Sequence, residues 1–226
     1  MSKKSKRYLE TKKIVDSEKK YELKEAVKLL KSFNRAKFDE SVEVAMKLGI
    51  DPKQSDQLVR GSISLPRGIG RSLKVIVFAA GEKATVAKKA GADEVGAEEL
   101  VKKVEGGWTD FDVAIATSDM MKFVGKLGRV LGPQGKMPSP KSGTVTDDIG
   151  TAVKEFKAGK IEYRTDAGGN VHSIVGKVSF PDGDLEENIS AFVKHIINSR
   201  PASAKGLFVE KVSVSSTMSP GIMLEV

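Results

Sequence analysis

The sequence contains no cysteine. That excludes a disulfide framework, a thiolate metal site and a cysteine nucleophile, and it fits a reducing compartment. Histidine is scarce as well. His172 and His195 are the only two, they lie far apart, and no His-Glu-x-x-His motif occurs. There is no Gly-x-Ser-x-Gly nucleophile elbow. No stretch stays apolar for the ~18 residues that a membrane helix needs. The lysine-rich start has no apolar run behind it and does not read as a secretory signal. These absences argue against a catalytic residue, a metal, a cofactor and a membrane. They point to a soluble intracellular protein.

What is present is positive charge and material for a core. Hydrophobic residues make up 39% of 226, enough for one large domain or two small ones. The formal net charge is +8, which favours polyanionic partners. The excess is not uniform. Residues 1–37 carry 13 basic and 5 acidic side chains, whereas residues 160–226 carry 7 and 8. Lys3, Lys4, Lys6 and Arg7 have almost no acids nearby. A solvated face is the ordinary cause of such a run, but a nucleic-acid contact explains both the basic arm and the basic total. Residues 1–20 read as charged, with a flexible start.

The chain is organised around Leu127 to Val145, which holds four glycines and three prolines. The stretch reads as too broken for a helix. Arg129, Lys136 and Lys141 place positive charge on it, suggesting a rigid basic loop that meets phosphates or another backbone. It is not a nucleotide loop. Where the Walker pattern needs Gly before Gly135-Lys136 the residue is Val130, and Met137 follows in place of Ser or Thr. Gly68-Ile69-Gly70 is half a dinucleotide fingerprint, but position 73 is Leu.

Lys24 to Lys31 has helical spacing, and Asn34 marks its end. Residues 36–50 alternate. Phe38, Val42, Val44, Met46, Leu48 and Ile50 share one parity that only Glu40 breaks, so this is a half-buried strand. Arg60 to Leu65 is a second strand, and Pro66 to Gly70 a breaker. From Leu73 the texture changes to buried strands alternating with helices. Strands are expected at Leu73–Ala80, Val95 and Phe111–Ala116. Helices are expected after Gly81, from Ala97, from Met120 with a Ser118-Asp119 cap, and after Asp147-Asp148. Lys160–Thr165 and Val171–Phe180 read as a hairpin. Leu185–Asn198 is an amphipathic helix, and residues 207–226 return to strand.

The economical arrangement is an α/β protein of two domains. A discontinuous α+β domain, residues 1–68 plus 160–226, holds an inserted Rossmann-like parallel α/β domain, residues 69–159. The connections near 66–70 and 157–160 would form a paired hinge. Such a fold licenses no cofactor by itself.

RNA binding has parts in place. Lys37-Phe38 sets a cation beside an aromatic that could stack on a base. Taken alone, the parity of Phe38 assigns it to the core. Lys160, Arg164 and His172 could reach phosphates from the hairpin, or be a solvated strand face. Ser215 to Gly221 offers hydroxyls and free amides in a turn, suited to 2′-hydroxyl and phosphate contacts but also to an ordinary loop.

Several long motifs occur together. They are Leu127-Gly128-Arg129-Val130-Leu131-Gly132-Pro133 through Met137-Pro138-Ser139-Pro140-Lys141, Ala36 to Glu43, Leu48-Gly49-Ile50-Asp51-Pro52, Ser55-Asp56, Val59-Arg60-Gly61, Ala90 to Asp93, Phe111-Asp112, Gly159 to Arg164 and Ser215 to Met218. In this order they resemble the ribosomal protein L-one family of the bacterial large subunit, over essentially the whole chain. The resemblance implies the split two-domain arrangement and a cytoplasmic, non-enzymatic protein of the ribosomal large subunit. It implies binding to large-subunit rRNA in the mobile stalk beside the tRNA exit site, and a part in releasing deacylated tRNA from that site. It also implies repression of the protein's own operon through an mRNA leader that mimics the rRNA site.

Carried over by position, the RNA surface is Lys37, Phe38, Ser41, Lys47, Arg164, Asp166, His172, Ser173, Thr217, Met218 and Ser219. Lys136 and Lys141 make lesser contacts. Two positions depart from the family pattern. Ser219 stands where Gly is common, which argues against a positive φ there. Gln134 replaces a usual basic residue. The competing readings are a nucleotide-using α/β enzyme and a non-specific polyanion binder driven by residues 2–13.

Overall fold

The computed structural model describes residues 5–16, 18–33 and 36–225. Lys3, Lys4 and Asn34 lie outside the described residues. In chain order the elements are α1 Lys6–Ile14, α2 Leu23–Ser32, β1 Ser41–Leu48, β2 Arg60–Ser64, β3 Val75–Phe78, α3 Glu82–Lys89, β4 Glu94–Gly96, α4 Glu98–Glu105, β5 Val113–Ala116, α5 Met121–Val124, α6 Gly128–Gln134, α7 Ile149–Lys157, β6 Lys160–Arg164, β7 Asn170–Lys177, α8 Asp182–Asn198, β8 Val209–Ser216 and β9 Ile222–Leu224. Proximity along the fold divides them into two compact units. One takes the chain up to Gly70 and from Ile161 onward, and the other takes Arg71–Lys160.

The first unit is built on β1. Its even positions Val42, Val44, Met46 and Leu48 are all buried, which is the alternation of a strand with one covered face. It sits inside a four-stranded antiparallel sheet of order β7-β1-β8-β9. The cover is α2, through Ala26, Val27 and Leu30, and α8, through Leu185, Ile189, Phe192 and Ile196. Each large side chain buried there contributes about 1.5–3 kcal/mol. The opposite face of the sheet stays open, with Glu43, His172, Ile174 and Lys211 exposed on it. Asn188 on α8 is wholly buried but satisfied. Its amide donates to the carbonyls of Gly68 and Val175 at 2.9 and 2.8 Å and accepts from the Arg67 N–H at 3.1 Å.

The second unit is a parallel sheet of order β4-β3-β5. All four residues of β3 are buried, because both faces of the sheet are covered. Ile76 and Phe78 pack with Leu100, Val104, Val124, Leu127 and Leu131. Val75 and Val77 pack with Ala87, Ile149, Val153 and Phe156 on the other side. Asp148 caps α7 by accepting from the Thr151 N–H at 3.2 Å.

Three expectations are corrected. β6 and β7 do not form a hairpin ladder. β6 pairs with β2, β7 pairs with β1, and a single Thr165–Val171 bridge joins their ends. The flexible start expected of residues 1–20 falls on residues outside those described, and from Ser5 the chain enters a helix. Ser5 accepts from the Tyr8 N–H at 3.3 Å and opens α1, whose Thr11 is buried. The Gly/Pro stretch is not wholly irregular. Its first half is α6, with Pro133 in the last turn. Val124, Leu127 and Leu131 recur on one buried helical face, and that packing outweighs the poor intrinsic propensity. Gly135 then ends the helix at φ 71°, the left-handed conformation that glycine adopts without steric cost. The Ser118-Asp119 cap does not form either, since α5 has no side-chain cap.

Candidate nucleic-acid interface

The expected RNA contacts of the first unit gather at the two ends of β1. Seven steps of about 3.4 Å from Ser41 to Leu48 separate these ends by about 24 Å.

At the Ser41 end, segments distant in sequence are tied together. Ser41 N–H donates to Thr217 Oγ1 at 3.0 Å, and Thr217 N–H donates to the Ser41 carbonyl at 3.1 Å. Ser41 Oγ accepts from Lys177 Nζ at 2.9 Å. Glu40 lies buried beneath. Its carboxylate accepts from Ser216 Oγ, from the Met218 N–H at 3.1 Å and from the Ala36 N–H at 2.8 Å. Burial alone would raise the Glu40 pKa, but these three hydrogen bonds, with the charge of Arg7, outweigh it and hold the carboxyl below its ordinary value. The break in parity at Glu40 is therefore a buried anchor. With the turn held from behind, Lys37 is exposed in front, Phe38 is 54% exposed and Met218 is 49% exposed. Phe38 shares the core's parity without entering the core, because the strand begins only at Ser41. It lines a shallow groove with Asp39, Glu40, Val178 and Ser179.

Ser219 closes the same turn. Its hydroxyl accepts from the Ser216 N–H at 2.8 Å, and no residue other than glycine has a positive φ among those described. The backbone here asks for no glycine, so a serine fits.

At the Lys47 end, Asp166 organises the turn into β7. It accepts from the N–H groups of Gly168 and Asn170, each at 2.8 Å, and from the Asn170 side chain. Bonds from the backbone and then the side chain of Asn170 lower its pKa to about 2. His172 Nε2 lies 3.6 Å from Asp166 Oδ2. Lys47 Nζ donates to the Gly168 carbonyl. Arg164 is exposed and lines a groove with Glu162, Tyr163, Thr165, Asp166, Ala167 and His172. Tyr163 is buried at the back of the groove, its hydroxyl 2.8 Å from His195 Nε2.

Two of the residues carried over for RNA contact are placed otherwise. Ser173 pairs with Val44 and is buried on the covered face, so it supports the sheet and presents no surface. Lys136, in the second unit, turns inward. Its Nζ donates to the carbonyls of Thr109, at 2.9 Å, and Phe111, and lies 5.0 Å from the Phe111 ring. Lys160 likewise pairs with Glu155 at 2.7 Å. Lys141 is exposed, on a short 3₁₀ turn whose neighbours Ser139, Ser142 and Thr144 bond one another. Gln134 is exposed too. Sequence reasoning missed Lys177 and Glu40. A carboxylate on the core parity was the available signal for Glu40, and Lys177 left none.

At the exposed Ser41 end of the sheet an aromatic, a thioether, hydroxyls and cations stand together, side-chain types that suit contacts to bases, sugars and phosphates. Residues 30–220 match the pattern of the Ribosomal protein L1p/L10e family, and the chain belongs to that family. It is 56% identical over 225 residues to the Large ribosomal subunit protein uL1 of Kosmotoga olearia, covering 100% of this chain and 97% of that one. It is 58% identical over 226 residues to the Large ribosomal subunit protein uL1 of Fervidobacterium nodosum, covering 100% of this chain and 96% of that one.

Proposed function

We propose that this chain is a component of the large ribosomal subunit in the cytoplasm, where it binds rRNA of the mobile stalk beside the tRNA exit site. Its two compact units act as two domains, the first carrying the main RNA surface. The protein aids release of deacylated tRNA and represses its own operon by binding an mRNA leader shaped like the rRNA site. The observation that carries this reading is the Ser41–Thr217 tie. In a chain of this family, residues 176 positions apart hold an exposed Phe38, Met218 and Lys37 on one rigid edge. Such an edge suits stacking and sugar contacts to unpaired bases in folded RNA. Arg164 and His172 serve a second contact toward the Lys47 end of β1, with His172 opposite Ala45.

The test is binding of the isolated protein to the rRNA stalk fragment against a scrambled control, across a salt series. Phe38→Ala or Thr217→Ala should weaken stalk binding by about 1–3 kcal/mol and leave the scrambled control unchanged. Equal affinity of wild type for both RNAs would overturn the reading. Unchanged affinity of both variants would remove the site assignment. An exit-site tRNA and the leader mRNA, used as competitors, test the two finer roles separately.

A further inference from the structure

The basic N-terminal stretch forms helix α1, which lies against the edge just described. Its Thr11 lines a cavity of about 10 Å³ together with Glu40, Ser216, Met218 and Ser219. Thr11 Oγ1 also donates to the Arg7 carbonyl at 2.9 Å, so the helix turn that meets this cavity is locally closed. The charge of Arg7 reaches the Glu40 carboxylate. Thr11 and Val15 are the buried residues of this segment, and Lys6, Leu9, Lys12 and Lys13 are exposed.

Several cations of the same unit are held in ion pairs. Arg60 pairs with Glu162, Arg67 with Glu187 and Lys31 with Asp182. Lys6, Lys12 and Lys13 enter no ion pair among the described residues, and Glu10 is the only acid within α1. Leu9 is 47% exposed among them. An apolar side chain ringed by uncompensated lysines, rigidly seated beside a base-contacting edge, has the make-up of a surface that tracks a phosphate backbone.

We propose that α1 is a phosphate-binding extension of the RNA interface. It grips the sugar–phosphate backbone that flanks the nucleotides held at Phe38 and Thr217, and it adds affinity without adding sequence choice. This rests on the reading under Proposed function and gives that site a second, chemically distinct part.

The experiment uses the full chain and the same two RNAs. Affinities of wild type and of the triple variant Lys6→Gln, Lys12→Gln, Lys13→Gln are measured from low to high salt, with circular dichroism melting of both proteins. Gln is a good helix former, so α1 should persist. Each lost phosphate contact removes about 0.7–0.9 from the slope of log affinity against log salt. The triple variant should therefore bind with a slope shallower by about 2, while its preference for the stalk fragment over the scrambled RNA stays at the wild-type ratio. Lys88→Gln with Lys89→Gln, exposed on α3 in the other unit, should leave the slope unchanged. An unchanged slope in the triple variant overturns the proposal while wild-type preference still stands. Loss of the preference ratio in a variant that melts normally also overturns it, since α1 would then be reading the site. Absence of preference in wild type overturns the parent reading and this one with it.

Discussion

The turn after β8 and the Gly/Pro segment of the second unit look alike as strings of residues. Both are short, polar and rich in turn formers, and they are built in opposite senses. In the turn the polar framework faces inward, onto the Glu40 carboxylate, and Met218 remains outside, as do Lys37 and Phe38 in the segment before β1. In the Gly/Pro segment the central cation faces inward, onto the carbonyls of Thr109 and Phe111, and only Lys141 of its two candidate lysines points out. A basic residue in a loop is thus no sign of a basic surface. What decides its direction is whether the fold leaves it an acceptor to satisfy.

The comparison can be broken by removing each anchor. Glu40→Leu should have the largest effect, because it leaves three donors in a buried site without their acceptor. We expect a loss of about 3–5 kcal/mol in urea unfolding, together with weakened stalk RNA binding. A loss below about 1 kcal/mol would mean the turn is held by something else. Lys136→Met comes next. It should cost about 1–2 kcal/mol of stability through two lost charge-assisted bonds, yet leave RNA affinity unchanged. A drop in affinity as large as that of Phe38→Ala would place Lys136 on the interface after all. Gly135→Ala should cost about 1 kcal/mol, because a Cβ is forced into the left-handed region at the end of α6.

The smallest effect belongs to the Lys47 end of β1. Asp166 has its folded pKa lowered to about 2, from the ordinary aspartate range. A lowered folded value means that its contribution is fully present above the unfolded pKa and is lost as pH falls toward about 2. Asp166→Ala should therefore flatten the fall in stability between about pH 4 and pH 2 without changing its shape above pH 5. The group is exposed, so the flattening should be slight. A curve identical to wild type would show that the turn holds without the carboxylate.

Much of this was readable from residues alone, for reasons that can be named. The alternation from Val42 to Leu48 and the continuous apolar run at Val75–Phe78 are both periodicities, and periodicity survives translation into structure. They placed β1 and β3 and separated a one-sided sheet from a two-sided one. What failed depended on partners far away in sequence. Lys160–Arg164 and Asn170–Lys177 were close enough to suggest a hairpin, but β2 and β1 compete for their edges and win. Pro133 suggested a break that the packing of Leu127 and Leu131 overrides. In the interface, the exposure of Phe38 was inverted, because parity tells the face of a residue only within the paired length of a strand, and Phe38 lies just outside it. Ser173 was carried over by resemblance alone, and it lies opposite Val44 on the covered face.

The position of β1 has a consequence for how the protein is made. Both of its neighbours, β7 and β8, are synthesised more than a hundred residues after it. Between them comes the parallel unit, whose contacts are mostly with itself and which can fold as soon as it emerges. Val42, Val44, Met46 and Leu48 therefore have no strand partner until β7 is made, and their second partner, β8, follows only after α8. Pairing of β8 with β1 closes the Ser41–Thr217 tie, so that edge cannot form until Thr217 has been synthesised.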